Sequence, residues 1–233
     1  MTTLKLAIFD CDGTLVDSQR SIVQAMTTGF EMHGLTAPPS EEILRTVGLP
    51  LRQCVHVLLP NADDATLDAV TQGYSETYRA NRLSGHDEPP LYPHTLETLE
   101  ALAQQDILLA IATGKSRRGL EHTLRVNDLL RFFVETRTAD DGPGKPNPDI
   151  LLDICACTGV RPEHAVIIGD TTFDIEMGGH AKMPALGVNW GYHSPERLLD
   201  AGAFAVLESW LELDDVLRHR FAIDASSSEG MGR

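Results

Sequence analysis

The sequence predicts an α/β fold in which a parallel sheet is flanked by helices and an all-helical segment is inserted after the first strand. Three observations support this prediction. An apolar run, Lys5 to Phe9, is followed at once by two acidic residues and turn formers. Residues 17–90 show helical spacing of apolar side chains without a strand pattern. Residues 91–223 then alternate short apolar segments with helical ones, which is typical of right-handed crossovers in a parallel sheet.

The first strand delivers acidic side chains to its tip. Lys5 to Phe9 is short and apolar, as expected of a strand buried on both faces of a parallel sheet. Ligands of open α/β sheets bind just outside the carboxyl ends of the strands, so Asp10 and Asp12 lie where a site is expected. Two close carboxylates repel one another. Either a divalent metal binds here, or one acid is kept protonated, or both.

The inserted segment is predicted to contain four helices. Ser40, followed by two glutamates, is expected to be the N-cap of the second helix, and Gly48-Leu49-Pro50 is expected to end it. The predicted helices cover residues 18–34, 40–47, 51–58 and 64–81.

The remaining elements follow from the alternating pattern. The later strands are predicted at 107–112, 132–136, 165–168, 185–188 and 203–207. The later helices are predicted at 94–104, 117–126, 148–157, 174–181, 195–201 and 210–218. The domain assignment is a catalytic core of residues 1–16 and 91–223, a helical cap of residues 17–90, and a disordered tail of residues 224–233.

Composition limits the classes of partner. The chain of 233 residues has a formal net charge of −15, which argues against nucleic acid or an anionic membrane as a partner. We expect a cytoplasmic protein, because no signal peptide or long apolar run is recognisable. We also expect it to be a monomer or a homodimer. The four cysteines contain no Cys-x-x-Cys pair and are expected to be reduced thiols.

Three further polar stretches follow predicted strands. Thr113 and Gly114 follow one strand and open a helix, whose N-terminus can accept an anion. Lys145 lies between helix breakers in Gly-Lys-Pro-Asn-Pro, so its ammonium is displayed from a loop. Asp170 and Asp174 add a second pair of carboxylates after another strand. For Asp174, helix capping and metal contact are both open interpretations.

These stretches occur in a recognisable order. DCDGT, the strand-end Thr113, Lys145 in GKPNP and the GDTTFD segment resemble the four motifs of the haloacid dehalogenase-like superfamily. The resemblance is closest to the phosphoglycolate phosphatase-like branch, which has a helical cap between its first two motifs. It implies a Rossmann-like core and a Mg²⁺-dependent phosphatase acting on a small phosphorylated metabolite. One departure is His94, where that branch usually has glycine.

The resemblance also implies residue roles. Asp10 is expected to attack phosphorus and become an aspartyl-phosphate, and Asp12 to act as general acid and then base. Asp10, the backbone carbonyl of Asp12 and Asp170 are expected to bind Mg²⁺, with Asp174 binding it or orienting Lys145. Thr113, Gly114 and Lys145 are expected to hold the phosphoryl group.

Two alternative functions stay open besides the phosphatase. A sugar-phosphate mutase would keep Asp10 and Asp12 and require a bisphosphate activator. A non-catalytic phospho-aspartate signalling or binding module would not turn over phosphate. A dehalogenase is disfavoured because that branch lacks the second acid of the opening motif. Arg45 and Arg52, which flank the Gly48-Pro50 break, are candidates for contact with the anionic end of a substrate.

Overall fold

The computed structural model describes residues 3–84 and 88–221. Its strands are β1 (Leu6–Phe9), β2 (Leu108–Ala112), β3 (Phe133–Arg137), β4 (Ala165–Gly169), β5 (Ala185–Val188) and β6 (Val206–Leu207). All neighbouring strands pair in parallel, in the order β3-β2-β1-β4-β5-β6. The prediction of an α/β fold with a parallel sheet is therefore confirmed, and β1 lies inside the sheet rather than at its edge.

The chain winds outward from β1 in two directions. It passes first to β2 and β3 on one side and then returns to β4, β5 and β6 on the other. The loops that follow β1 and β4 therefore diverge and leave a crevice, which is where open α/β sheets bind ligands. Phe9 pairs with Ile168, so the segments that follow these two strands begin at the same level.

Ten α-helices lie in the described residues. Those between the first two strands are α1 (Gln19–Glu31), α2 (Ser40–Leu44), α3 (Leu51–Leu58) and α4 (Asp64–Leu83). The others are α5 (Thr95–Ala103), α6 (Arg117–Val126), α7 (Asp149–Thr158), α8 (Thr172–His180), α9 (Pro195–Asp200) and α10 (Leu213–Arg220).

The sheet separates two apolar cores. Ala7 and Phe9 face the core that α5, α6 and α10 cover, whereas Leu6 and Ile8 face the core that α7, α8 and α9 cover. All four side chains are fully buried. This explains why β1 is a continuous apolar run instead of an alternating one.

Helices α1 to α4 pack around a third apolar core, which includes Met26, Phe30 and Val70. Helices α1 and α4 approach closely because each has a glycine at the crossing. A Cβ added to Gly73 would lie 3.2 Å from the Cα of Gly29. Among residues 3–84 and 88–221, no helix is both long enough and apolar enough to span a membrane.

Two linkers connect this helical segment to the sheet, and they run side by side. Val16 and Leu91 form an antiparallel bridge. The N–H of Asp17 donates to the carbonyl of Pro90 at 2.9 Å, and the N–H of Tyr92 donates to the carbonyl of Leu15 at 3.1 Å. The chain therefore leaves and rejoins the sheet at one point.

The second helix differs from its prediction at both ends. Pro39, not Ser40, is the N-cap, and Ser40 is already helical. The helix ends at Leu44 instead of residue 47, because the hydroxyl of Thr46 donates to the carbonyl of Ile43 at 2.8 Å and closes the last turn. This side-chain contact competes with continuation of the helix.

Other boundaries also shift. The predicted strand 203–207 shortens to β6, because the N–H of Ala203 returns to the carbonyl of Leu198 and ends α9. Helix α8 starts at Thr172 instead of 174, after the cap residue Thr171. The predicted helix 210–218 becomes a 3₁₀ turn, Trp210–Glu212, followed by α10. The predicted disordered tail, 224–233, lies outside the described residues.

His94 directly precedes α5 and has a φ of 67°. This left-handed region favours glycine, because a Cβ there is crowded by the following carbonyl. The conformation explains why glycine is common at this position in the family that the sequence resembles. The second linker nevertheless keeps its pairing with the first, so the departure at His94 is accommodated locally.

Candidate active site

The loop after β1 turns sharply and brings two acidic residues to the crevice. The N–H of Asp10 still continues the ladder, donating to the carbonyl of Ile168 at 2.9 Å. Gly13 then has a φ of 80°, and a Cβ there would lie 2.3 Å from Oδ2 of Asp170. Glycine at this position therefore allows the loop of β1 to touch the carboxylate that follows β4.

Three buried carboxylates meet at this point. One oxygen from each of Asp10, Asp170 and Asp174 lies within 4.8 Å of the others. Asp170 is fixed by the hydroxyl of Thr14, which donates to Oδ1 at 2.8 Å, and by the N–H of Tyr192, which donates to Oδ2 at 2.9 Å. An all-oxygen, anionic donor set of this kind fits a hard divalent cation such as Mg²⁺.

Asp174 has two further contacts besides this cluster. Its Oδ2 accepts hydrogen bonds from the hydroxyl of Thr171 at 2.7 Å and from the N–H of Thr171 at 3.2 Å. Its Oδ1 lies 2.6 Å from Nζ of Lys145. Helix capping, one of the two interpretations that the sequence left open, is therefore observed, and Asp174 also belongs to the carboxylate cluster. Metal contact by Asp174 stays a prediction.

Lys145 is the cation of this cluster. Its Nζ lies 2.8 Å from Oδ1 of Asp10 and 2.6 Å from Oδ1 of Asp174. Burial lowers the pKa of Lys145, but the charges of Asp10 and Asp174 outweigh burial and hold that pKa above its usual range. The ammonium is therefore charged, although the side chain is inaccessible to solvent.

The carboxylates have more negative charge than Lys145 can offset. Burial, opposed by Lys145 and reinforced by Asp174, raises the pKa of Asp10 to about 6. Burial and the charges of Asp10 and Asp174 raise the pKa of Asp170 well above its ordinary value. Three ionised carboxylates and one ammonium would leave two negative charges, which equals the charge that a divalent cation neutralises.

Asp12 belongs to a different set of contacts. Its Oδ1 accepts a hydrogen bond from Nζ of Lys115 at 2.6 Å and another, short one from the hydroxyl of Ser18. The hydroxyls of Ser18 and Tyr192 are 3.1 Å apart. Nζ of Lys115 also donates to the hydroxyl of Tyr78 on α4 at 3.2 Å. The Asp12 side chain is therefore not part of the three-carboxylate cluster.

Lys115 has no role among those predicted from the sequence. Burial lowers its pKa, but the charge of Asp12 more than compensates and holds that pKa well above the usual range. The pairing joins residues 103 positions apart, so local spacing does not reveal it. Its only sequence signal is its place two residues after the strand-end Thr113.

Thr113 and Gly114 complete the core side of the crevice. Thr113 is buried at the end of β2, and its N–H donates to the carbonyl of Arg137 at 3.0 Å. Its hydroxyl accepts from the N–H of Lys115 at 3.2 Å. A Cβ on Gly114 would lie 3.0 Å from the carbonyl oxygen of Gly48, so the helical segment rests directly on this loop.

A cavity of about 600 Å³ lies between the strand tips and the helical segment. The core contributes Asp10, Asp12, Thr113 and Gly114 to its wall. Other lining residues include Tyr74, Tyr78, Arg79 and Arg82 of α4 and Lys115 and Arg118 of the core.

Arg45 and Arg52, proposed from the sequence as substrate contacts, do not line this cavity. Arg52 instead donates to Asp64 and Asp68, both at 2.6 Å, on the outer surface of the helical segment. Arg45 is the C-cap residue of α2, and its Nη2 lies 3.7 Å from Oε2 of Glu41 in that helix. The arginines that reach the cavity are Arg79, Arg82 and Arg118, which the sequence analysis did not consider.

Comparison with known proteins identifies the family of this chain. A family model described as haloacid dehalogenase-like hydrolase matches residues 7–188. The chain belongs to the haloacid dehalogenase-like hydrolase family. That match runs from within β1 to the end of β5, and it therefore contains all four motifs.

Curated relatives of this hydrolase include phosphatases. A phosphoglycolate phosphatase of Agrobacterium fabrum is 30% identical over 195 residues, which cover 80% of this chain and 81% of that protein. The pyrophosphatase PpaX of Anoxybacillus flavithermus is 28% identical and covers 90% of this chain and 95% of that protein. Among solved structures, a haloacid dehalogenase-like family hydrolase of Streptococcus pneumoniae has a TM-score of 0.82 at 26% identity, covering 93% of this chain and all of that one (100%).

The comparisons confirm that the chain is a hydrolase of this family, as predicted, and that phosphatases are among its relatives. The roles of individual site residues stay predictions. The geometry brings Asp10, Asp170, Asp174 and Lys145 into contact, with Asp12, Thr113 and Gly114 beside them at the cavity.

Proposed function

We propose that this hydrolase is a Mg²⁺-dependent phosphatase of a small phosphorylated metabolite, with phosphoglycolate the leading substrate. The observation that carries the proposal is the Asp10 carboxylate, which belongs to a buried acidic cluster and also faces a cavity of about 600 Å³. The relative named phosphoglycolate phosphatase supports the choice of substrate, and the relative named pyrophosphatase makes pyrophosphate the next compound to test.

In this proposal, the carboxylate of Asp10 attacks phosphorus in line, and the bond from phosphorus to the leaving oxygen breaks. The product on the protein is an aspartyl-phosphate, which water then hydrolyses to free phosphate and ionised Asp10. Thr113 and the N–H of Gly114 bind phosphoryl oxygens, and the ammonium of Lys145 offsets charge near Asp10. Fixed charges and dipoles are effective here because the site excludes bulk water.

Asp12 moves the protons. It donates one to the leaving oxygen during the first step and accepts one from the attacking water during the second. Lys115 and Ser18 both contact Oδ1, and Oδ2 has no hydrogen-bond partner within the described part of the chain. We therefore assign Oδ2 as the oxygen that exchanges protons, while the contacts at Oδ1 fix its direction.

The metal would be held by the carboxylates of Asp10 and Asp170 and the backbone carbonyl of Asp12. When bound, Mg²⁺ supplies positive charge that offsets the phosphoryl oxygens and the surplus charge of the cluster. Asp174 orients Lys145 and adds negative charge next to the metal ligands. Burial is the first cause that raises the pKa of Asp10 and Asp170, and the charges of neighbouring acids add to it, although Lys145 partly offsets the effect at Asp10.

The test is release of inorganic phosphate from phosphoglycolate, pyrophosphate, sugar phosphates and p-nitrophenyl phosphate, with Mg²⁺ and with a chelator. We expect turnover of at least one natural compound with Mg²⁺ and none after chelation. Isomerisation of a sugar phosphate that requires a bisphosphate activator would instead support the mutase. Transfer of one phosphoryl group to each protein chain, without release of inorganic phosphate, would support a signalling module. No reaction with any compound would refute the proposal.

Closure of the helical segment over the site gives a separate prediction. A Cβ on Gly144, next to Lys145, would lie 2.2 Å from Cγ of Pro50, so Gly144→Ala must displace the Gly48-Pro50 loop. We expect kcat/KM to fall about 10²-fold, since a misplacement of about 1 Å can cost that much.

Gly142→Ala in the same loop is the matched control. Its Cβ would lie 3.9 Å from Ile150, an ordinary contact, and we expect activity close to that of the unchanged protein. Steady-state kinetics of both variants make the comparison. Equal activity of Gly144→Ala and Gly142→Ala would show that the contact with Pro50 is dispensable.

A further inference from the structure

Three arginines converge on the cavity at a distance from the carboxylate cluster. Arg79 and Arg82 are three residues apart on α4 and therefore share a face of that helix. Arg118 lies in the first turn of α6, which belongs to the core. All three line the cavity that Asp10 and Asp12 also line. The helical segment and the core therefore both contribute arginines to the lining of this cavity.

Within the described residues these three arginines have no acidic partner. Seven of the fourteen arginines in residues 3–84 and 88–221 do have one, including Arg52, Arg117, Arg131 and Arg218, each within 3.3 Å of a carboxylate. Within 3–84 and 88–221, no ion pair reaches Arg79, Arg82 or Arg118.

The acids that line the cavity near them are otherwise engaged. Glu76 accepts a hydrogen bond from the amide of Gln72 at 2.7 Å. Asp140 accepts one from the N–H of Arg117 at 2.7 Å. In a chain with a net charge of −15, three arginines without an ion-pair partner in the described residues therefore line one cavity.

The position of Arg82 relates this region to the catalytic acids. A Cβ on Gly119 would lie 4.0 Å from Nη1 of Arg82 and 3.9 Å from Cε of Lys115. Arg82 and Lys115 thus approach the same point from the two sides of the cavity, and Nζ of Lys115 contacts Asp12 at 2.6 Å. A small molecule bound at Asp10 can therefore extend along Lys115 toward Arg82.

Two buried polar atoms belong to residues that neighbour these arginines in α4 and α6 but lie outside the cavity lining. Nε2 of His122 and Nδ2 of Asn81 are buried without a hydrogen-bond partner in the described residues. Asn81 precedes Arg82 in α4, and His122 is one turn beyond Arg118 in α6. Burial, followed by the positive charge of Arg82, lowers the pKa of His122.

We propose that Arg79, Arg82 and Arg118 form a binding subsite for a second anionic group of the substrate, a carboxylate or a phosphate at the end opposite the transferred phosphoryl group. Guanidinium groups bind both oxyanions through paired N–H donors. The inference rests on the proposed phosphatase function and narrows it, because the preferred substrates are phosphomonoesters with a second acidic group. A substrate with a neutral end would leave the positive charges of the three arginines without an anionic partner.

Two matched pairs of compounds test the subsite. Phosphoglycolate and 2-hydroxyethyl phosphate differ in a carboxylate against a hydroxymethyl group, as do 3-phosphoglycerate and glycerol 3-phosphate. We expect the unchanged protein to have a kcat/KM at least about tenfold higher for the acid of at least one pair. Arg82→Met and Arg118→Met are expected to lower kcat/KM for that acid by roughly 10- to 100-fold, the range for lost hydrogen bonds to charged groups. Values for the neutral compound are expected to change little.

Arg20→Met, an exposed arginine of α1 outside the cavity, is the control and is expected to alter neither compound. If Arg82→Met and Arg118→Met lowered kcat/KM equally for the acid and the neutral compound, or did not lower it, the proposed subsite would be overturned. The phosphatase proposal would be unaffected. If the unchanged protein hydrolyses none of the four compounds but does hydrolyse p-nitrophenyl phosphate, calorimetric titration with phosphoglycolate replaces kinetics. Equal dissociation constants for the unchanged protein and Arg82→Met would then overturn the subsite. Failure to hydrolyse any phosphomonoester is the separate failure of the phosphatase proposal, and the same titration still decides the subsite.

Discussion

Replacement of Asp10 by Asn is expected to abolish phosphate release while the protein stays folded. The amide cannot form the aspartyl-phosphate, so the loss of kcat is expected to exceed the about 10²–10³-fold that removal of one electrostatic group costs. Asp10 is buried, and its volume is almost unchanged in Asn. Steady-state phosphate release and the unfolding transition in urea provide the two measurements.

The charge balance makes the stability result informative. Asp10→Asn removes one carboxylate from a site where burial raises the pKa of that group to about 6. In metal-free buffer the free energy of unfolding is therefore expected to be unchanged or higher at neutral pH, where the unchanged protein holds this charge at a cost.

Asp153→Asn, an exposed carboxylate of α7, is the matched control and is expected to keep full activity. An Asp10→Asn variant whose kcat lies within tenfold of the unchanged protein would exclude Asp10 as the nucleophile. A variant that is inactive because it has unfolded would be recognised from its urea transition.

Replacement of Lys145 by Met is expected to reduce both stability and activity. Nζ lies within 2.8 Å of Asp10 and Asp174, so the variant leaves two buried carboxylates without their cation. Breaking a buried ion pair by removing one partner costs about 3–5 kcal/mol of folding free energy. Activity is expected to fall about 10²–10³-fold, as for other electrostatic groups of active sites.

The dependence of this effect on Mg²⁺ gives a sharper measurement. A divalent cation offsets the same carboxylates that Lys145 offsets, so added Mg²⁺ is expected to raise the unfolding free energy of Lys145→Met more than that of the unchanged protein. Urea unfolding with and without Mg²⁺ compares the two. Lys182→Met, an exposed lysine after α8, is the control. Equal stability of Lys145→Met and Lys182→Met in metal-free buffer would contradict the proposed balance of charges.

Much of the fold could be predicted from the sequence, because it depends on local patterns. Buried strands such as β4 are continuous apolar runs, and the helices between them show regular spacing. Errors occurred where a side chain or a distant contact decided the boundary. Thr46 ends α2 through its hydroxyl. The first residues of the predicted strand 203–207 are not part of β6, because the N–H of Ala203 donates to the carbonyl of Leu198 in α9.

The site was only partly predictable. Asp10, Asp12, Thr113 and Asp170 directly follow strands, and their places at the edge of the sheet follow from that position. The contact of Lys115 with Asp12 depends on how two separate loops meet. Arg52 was chosen for its nearness to the Gly48-Pro50 break, but Asp64 and Asp68 hold it on the outer surface. Nothing in the spacing of residues along α4 distinguishes an arginine that faces a cavity from one that faces solvent.

The pairing of the two linkers has a consequence for how such proteins diversify. Because Val16 and Leu91 bridge one another, the inserted helices begin and end at neighbouring positions. The sheet, its strand order and its two apolar cores are therefore indifferent to the length and identity of the intervening segment. Changes in the helices between these linkers can therefore alter what enters the cavity while the strand order that positions Asp10 and Asp170 is kept. The contacts of Ser18 with Asp12 and of Pro50 with the loop before Lys145 are the points at which such a change would reach the core.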